Sequence, residues 1–475
     1  MALMTDHAAT GSWRELLGRR YAPVAVVLAG GVLMEASTVY LTTSLLPTIV
    51  DDIGGTGFYA WTMTAFLVAS VISSMLVSRI LTTRGSMVAY LLAFGLFGLG
   101  SLIAAASPGI GIFLAGRAVQ GFGGGLLAGL GYALIQRSLP ERLWAKGAAL
   151  VSAMWGVGNL VGPSAGGAFG QLGVWRPAFG LLVALAAVLM VVVVRVIPRT
   201  ERSASSSAVP GISLVLLTAA VAMVSVASIV PAGVATAVVL IAGLGLGAGF
   251  VAYERTAKAA VLPRVVFARG KSLKWVYLTV GILAFGTGTE AFIPLFGQEL
   301  GGMSPLLAGF LGAALSLGWS LSQTISAGAN RPGVVRRMIV GGPILLAIGL
   351  AAHSALQQDG PPAIVAGLWF VTLFAAGAGI GIAFPHLAVA AFSSVEDEEE
   401  AAKASAGINT VFLMASAFSA ALAGVLVKLG EPSVLSSAHF LLYTFAFAAA
   451  LGAFPAWRIT RSRTVRKAEE PQLTP

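Results

Sequence analysis

Fourteen long apolar runs follow one another along the chain, separated by short polar stretches. They lie near 22–46, 58–78, 87–107, 110–136, 146–170, 176–197, 211–230, 233–253, 275–298, 304–328, 336–355, 363–392, 402–428 and 434–457. Each holds about 18 residues or more, enough for a helix to cross a hydrocarbon core. The backbone of a membrane span must satisfy its own polar groups, and the runs lack the alternation of a barrel strand. The pattern predicts an all-α polytopic membrane protein of fourteen spans.

Two longer polar stretches punctuate the runs. PRTERSASSSAVP (198–210) follows the sixth, and a basic, partly amphipathic stretch (254–274) follows the eighth. The predicted organisation is a six-helix bundle (1–197), a cytoplasmic linker (198–210) and a two-helix insertion (211–253). A cytoplasmic amphipathic loop (254–274), a second six-helix bundle (275–457) and a basic cytoplasmic tail (458–475) complete it. SRILTTRG (78–85) after the second run and SAGANRPG (326–333) after the tenth form a weak internal repeat. Repeated halves with a site at their interface are common in transporters.

Charge adds orientation. Of the 29 lysines and arginines, 26 fall on one side of the alternating loops. Lys and Arg concentrate in cytoplasmic loops, so both ends are expected inside, in the plasma or inner membrane. The segment before the first run carries Arg14, Arg19 and Arg20 without a small-residue cleavage site, so the first span is expected to be retained. The net charge of +10 would suggest nucleic acid in a soluble protein. Here the charges sit in short loops, and no nucleic-acid partner is expected.

Composition narrows the chemistry. Charged residues are 10% of the chain and hydrophobic ones 57%, against about 25% charged in soluble proteins. Cysteine is absent, which excludes disulfides, thiolate metal sites and a cysteine nucleophile. Asp51 and Asp52 lack a second acidic cluster, and no metal is expected. EDEEE (396–400) reads as a solvated turn at a helix start.

Three charged residues lie well inside the runs, Glu35, Arg117 and Glu290, and His386 lies near the inner end of the twelfth. A charge at that depth costs roughly 3 kcal/mol on insertion scales and 10 or more in simulations, so it usually faces a wet cavity or a partner. A proton and a cationic compound compete for a buried carboxylate, which is exchange in its simplest form. Structural readings stand beside the functional ones. Ser37 and Thr38 offer Glu35 hydroxyl partners, Arg117 suits pairing and packing, and His386 beside Pro385 reads more readily as structural. Phe285, Phe292 and Phe296 suit a lipophilic substrate.

Several stretches resemble the major facilitator superfamily, and within it the fourteen-helix drug:proton antiporters. GRAVQGFGGG (116–125) is similar to that family's fourth-helix motif, with Arg117, Gln120 and Gly121 in place. GVGNLVGPSAGG (156–167) resembles the fifth-helix motif of antiporters at Gly158, Gly162, Pro163, Gly166 and Gly167. VWRPAF (174–179) and IPLFGQELGGMSPLLAG (293–309) resemble further conserved turns. The resemblance implies a fold of two six-helix bundles with two extra helices between them, working as a monomer. It implies that spans 1, 4, 9 and 12 line the cavity, bringing Glu35, Arg117, Gln120, Glu290, Phe292 and His386 together. Glu35 and Glu290 are then the proton-coupling acids. It also implies a gating latch after the second helix of each half, at Thr82, Arg84 and Gly85 and at Asn330 and Arg331. The family's latch aspartate is Thr82 here, so the latch is expected to be weaker or rewired. The acid expected eight positions before Pro47 is Val39 here, and Glu35 stands twelve before it.

The expected function is proton-coupled export of amphipathic or lipophilic compounds, cationic drugs among them, by alternating access. The partners are protons, the bilayer and a small-molecule or lipid substrate, and no cofactor is needed beyond the proton gradient. Export of a lipid or lipid-linked molecule is the main alternative. A nutrient symporter fits the fifth-helix glycines less well. A membrane enzyme would need a catalytic cluster that these short basic loops do not offer, so no enzyme activity is expected.

Overall fold

A computed structural model describes residues 12–197, 210–257, 260–268, 272–329, 331–394 and 398–461. All the regular elements among them are helices. The first half holds α1 (Ala22–Ile53), α2 (Tyr59–Arg84), α3 (Ser86–Ala105), α4 (Ile110–Ala133), α5 (Glu141–Gln171) and α6 (Arg176–Val196). An inserted pair follows, α7 (Gly211–Val226) and α8 (Val234–Glu254). The second half holds α9 (Leu273–Glu299), α10 (Pro305–Ser326), α11 (Pro332–Leu356), α12 (Ala363–Phe392), α13 (Glu398–Gly430) and α14 (Val434–Thr460). Every predicted run thus contains a helical rod. Twelve are long and apolar enough to cross a membrane. The other two are α7, only 16 residues long, and the glycine-rich α5, 31 residues long.

Local chemistry sets the helix ends. Pro23 opens α1, where a missing N–H costs nothing. Gly85, at φ +80°, closes α2 and turns the chain into α3. Ser304 caps α10 by accepting from Leu307 N, with Pro305 behind it. The Trp-Arg turn ties three elements together. Trp175 Nε1 donates to Asp52 at 3.0 Å, and Arg176 donates to Asp52 at 2.5 Å and to the Ser107 carbonyl at 3.2 Å.

The halves are built on close helix contacts. α4 lies against α2 and α3 through its glycines. A Cβ at Gly121 would lie 2.2 Å from the Phe66 carbonyl oxygen, and one at Gly125 would lie 2.1 Å from that of Ser70. α5 lies against α1 the same way, through Gly158, Gly162 and Gly166, each within 2.6 Å of an α1 atom by the same measure. Small residues permit such approach, which supplies the van der Waals contact that binds helices in lipid.

The inserted pair bridges the halves. α7 packs on α2 and α13, burying Leu217, Val221 and Val224 against Val71, Ala417 and Ala421. Trp61 of the first half donates to the Ser225 carbonyl at 3.1 Å, and Lys428 of the second donates to the Val230 carbonyl at 2.6 Å. α8 leaves Val234, Val238, Ile241 and Leu244 exposed, a surface suited to lipid. Its last residue, Glu254, is fully buried and accepts from Ser213 Oγ at 2.5 Å and Leu262 N at 2.7 Å. The stretch after α8 is therefore tied to the bundle. The linker at 198–209, Asn330 and the tail beyond Arg461 lie outside the described residues.

Gly121→Ala should lower the melting temperature of the detergent-solubilised protein by the equivalent of about 1–3 kcal/mol, the usual cost of overpacking. Gly95→Ala, where a Cβ would meet nothing within 4 Å, should not. Equal melting of both variants would refute the close-contact account.

Candidate functional site

The ninth rod breaks in the middle, and the break creates the site. Leu273–Phe285 is α-helical, Gly286–Ala291 is a 3-10 turn, and Ile293–Glu299 resumes the α-helix. Gly288 lets α13 press in, since a Cβ there would fall 1.8 Å from Ser419 Oγ. Hydroxyls serve the carbonyls around the break: Ser419 donates to Phe285, Thr287 to Ala284 and Thr289 to Gly286. Irregular backbone at membrane depth survives where it is re-satisfied and buried in this way. Pro294, without an N–H, stands where the helix restarts.

Glu290 sits in this turn, 7% exposed, on the seam between the halves. Ser316 of α10 donates to its Oε1 at 2.5 Å, and Tyr40 of α1 donates toward its Oε2 at 3.5 Å. Tyr40 also hydrogen-bonds Ser316. A cavity of about 30 Å³ adjoins the carboxylate. Val39 and Thr43 of α1 with Met63 and Leu67 of α2 line one side, and Thr287, Glu290, Ser416 and Ala420 line the other. That volume holds a water molecule or two, whereas small-molecule sites run to roughly 300–1,000 Å³. The arrangement is occluded.

Spans 1 and 9, the latter through Glu290 with its bond to α10, contribute to the wall of this small cavity together with α2 and α13, and no described residue of spans 4 and 12 lines it. The α4 glycines hold that helix on α2 and α3 inside the first half, and Arg117 and Gln120 are not among the residues that line the cavity. Arg117 is fully buried. It donates to the Thr62 carbonyl at 3.3 Å, bonds Gln120 Oε1, approaches Met63 Sδ at 3.9 Å and stacks 4.4 Å over the Phe66 ring. Gln120 passes its amide hydrogens to Thr38 at 3.2 Å and Ser101 at 2.8 Å. The ion pairs among the described residues are Arg142–Glu15 and Arg176–Asp52, both in the first half. Arg117 is held by dipoles and a ring face instead of an acid.

Glu35 is buried in the same interior, where a Cβ at Gly124 would touch its Cγ at 3.2 Å. Its Oε2 has no hydrogen-bond partner among the described residues, nor has Ser37 Oγ; Thr38 serves Gln120 instead. Glu35 and Glu290 thus occupy different places: one inside the first half, one on the seam. Phe292 stacks with Tyr59 at 5.0 Å and Phe296 at 6.3 Å, joining the halves beyond the cavity. His386 is buried on α12 with Nε2 unpartnered among the described residues, off the cavity wall.

The closest approaches between the halves cluster at the end away from the basic loops. Cβ atoms placed on Gly167, Gly309 and Gly424 would lie 2.4–2.6 Å from Leu306, Ser44 and Ala60. About midway, Asn159 donates to Ser320 at 3.3 Å. At the basic end, among the described residues, Thr82 bonds only to the Ser78 and Arg79 carbonyls of its own helix. Arg84 and Arg331 are exposed, Gly85 makes its turn, and Asn330 lies outside the described residues. Among the described residues no ion pair latches that end.

Tyr40 and Ser316 were not singled out by sequence. Each is one of several polar residues in its run, and only the fold brings them to Glu290.

A model of the Major Facilitator Superfamily matches residues 28–420. The chain belongs to that superfamily. A protein of Mycobacterium tuberculosis H37Rv described as a probable multidrug-efflux transporter is 44% identical over 465 residues, covering 96% of this chain and 98% of its own. The multidrug efflux pump SdrM of Staphylococcus aureus is 25% identical over 300 residues, covering 62% and 66%. Among solved structures, a D-xylose–proton symporter superposes with a TM-score of 0.66 at 13% identity, over 93% of this chain and 99% of that one. A POT family transporter bound to 5-aminolevulinic acid gives 0.66 at 14% identity, over 93% and 96%. The last two likenesses establish the fold.

Arg117→Lys retains the charge but loses the planar fork and the ring stack. It should destabilise the protein by about 1–3 kcal/mol, the cost of a buried polar group left unpaired. Thermal unfolding against exposed Arg84→Lys checks this, and equal melting would count against the network.

Proposed function

We propose that this protein exports amphipathic or lipophilic compounds, cations among them, in exchange for protons, by rocking of its two halves. We take all fourteen rods as spans, with the basic face cytoplasmic and both ends inside the plasma membrane. The observation that carries the reading is Glu290: a buried carboxylate on the seam, bonded by hydroxyls from both halves. A proton neutralises it, and so does a cation, and the two exclude one another there. The relatives described as multidrug-efflux proteins support the substrate class.

The closed far end and the unlatched basic end suit a state that receives substrate from the cytoplasmic side. The inserted pair covers the seam between α2 and α13, which works against wide lateral entry there and weighs against the lipid alternative. Glu35 has no place on the cavity wall, so Glu290 is the carrier in this reading and Glu35 acts from within the first half.

Inside-out vesicles with an acid interior and an enclosed pH dye test the proposal. Tetraphenylphosphonium should trigger proton release in the parent. Glu290→Gln should reduce that release by tenfold or more, about the effect of 1.4 kcal/mol or greater, and Glu35→Gln should reduce it less. Release undiminished in Glu290→Gln would refute the carboxylate exchange proposed here.

A further inference from the structure

Glu290 is held by a residue from the opposite half, and that contact has a mechanical consequence. Ser316 has one hydroxyl proton and gives it to Glu290 Oε1 at 2.5 Å. Tyr40 must then donate, either to Ser316 Oγ or toward Glu290 Oε2 at 3.5 Å. Ser316 gives its proton to the carboxylate directly, and Tyr40 supports it either directly or through Ser316; hydrogen bonds to an ionised group are roughly twice as strong as neutral ones. All three side chains are buried, with 7% exposure or less. The chain of bonds runs α1–α10–α9 and so crosses the seam.

We propose that Tyr40, Ser316 and Glu290 form a clasp that keeps the halves closed at the end away from the basic loops, and that substrate reaching Glu290 must part it. The inference rests on the exporter reading and deepens it by naming the contact that couples binding to movement. The coupling is steric as well as electrostatic. The cavity beside Glu290 is about 30 Å³, so a drug-sized compound reaches the carboxylate only if α1 and α2 separate from α9 and α13. That separation removes the Tyr40 hydroxyl from its partners. Tyr40 and Ser316 are positioning residues, acting through Glu290.

The fifth-helix glycines acquire a role here. A Cβ at Gly162 would lie 2.6 Å from the Ser37 carbonyl oxygen and 2.8 Å from Tyr40 Cβ. α5 thus pins α1 at the turn that carries Tyr40, and its own far end meets α10 through Gly167 and Leu306. The glycines set how far Tyr40 reaches across the seam.

The chain has no cysteine, so spin labels can be placed at Leu172→Cys and Leu307→Cys, exposed positions at the closed end of the two halves. Pulsed electron resonance on the full-length protein in nanodiscs then reads their separation. Without substrate, the parent should give one short population. Tyr40→Phe and Ser316→Ala should each raise the ratio of long to short separations about tenfold, the scale of one lost charge-assisted bond. Ser316→Thr, which keeps the hydroxyl, should restore the parent distribution. This pair decides the matter if Tyr40→Phe does not fold. Distributions unchanged in both deletions would overturn the clasp.

Tetraphenylphosphonium separates this inference from the function it rests on. Opening in the variants beside a parent that ignores the cation supports the clasp and counts against cation export. A parent that opens with the cation while the variants match it in every respect supports export and overturns the clasp.

Discussion

Helices in hydrocarbon gain little by burying apolar side chains on one another, because lipid tails are as apolar as leucine. They gain from close approach. In this protein the α1–α5 contact is the approach on which much else depends. Gly158, Gly162 and Gly166 let the backbones nearly touch, and α1 is the helix from which Tyr40 reaches the second half. α5 carries the other edge of the seam, where Gly167 meets Leu306 and Asn159 meets Ser320. One helix pair therefore sets both the interior of the first half and the surface it presents to the second.

The same constraint governs polar groups. A buried donor or acceptor left unpaired costs about 1–3 kcal/mol, and the structure meets that demand in two ways. Around Arg117 it uses fixed dipoles: a carbonyl, an amide oxygen, a thioether and the Phe66 face. These partners belong to α2 and α4, which pack against one another within the first half. Around Glu290 the partners come from different bodies, so that network breaks when the halves part. The contrast separates a charge that holds a half together from one that senses the other half.

Much of this was legible in the sequence. Apolar length located every rod, because a span in lipid is long and apolar wherever it packs. The glycine motifs located close contacts, because only small residues permit them. The residues that line the small cavity beside Glu290 were not legible. Arg117 and Glu35 are as deep and as charged as Glu290, yet both face the interior of the first half. Depth along a helix says nothing of which face a residue occupies, and hydropathy is nearly uniform around these rods. The break in α9 has a local signal, Gly286 and Gly288 alternating with Thr287 and Thr289. Its effect, turning Glu290 toward Ser316 and Tyr40, required the partner helices.

The inserted pair completes the mechanical picture. α7 leans on α2 and α13; its last turn receives Trp61 from one half, and the turn after it receives Lys428 from the other. Both donors sit toward the closed end, where the halves already meet through Gly424 and Ala60. Rocking about that end changes separations least near the pivot and most at the basic face. A strap anchored near the pivot can keep both bonds while the basic ends move, and it shields the α2–α13 seam from lipid. When the closed end itself opens, one anchor must lengthen. The pair then resists the same motion as the Tyr40 clasp, from the rim where the clasp acts at the centre.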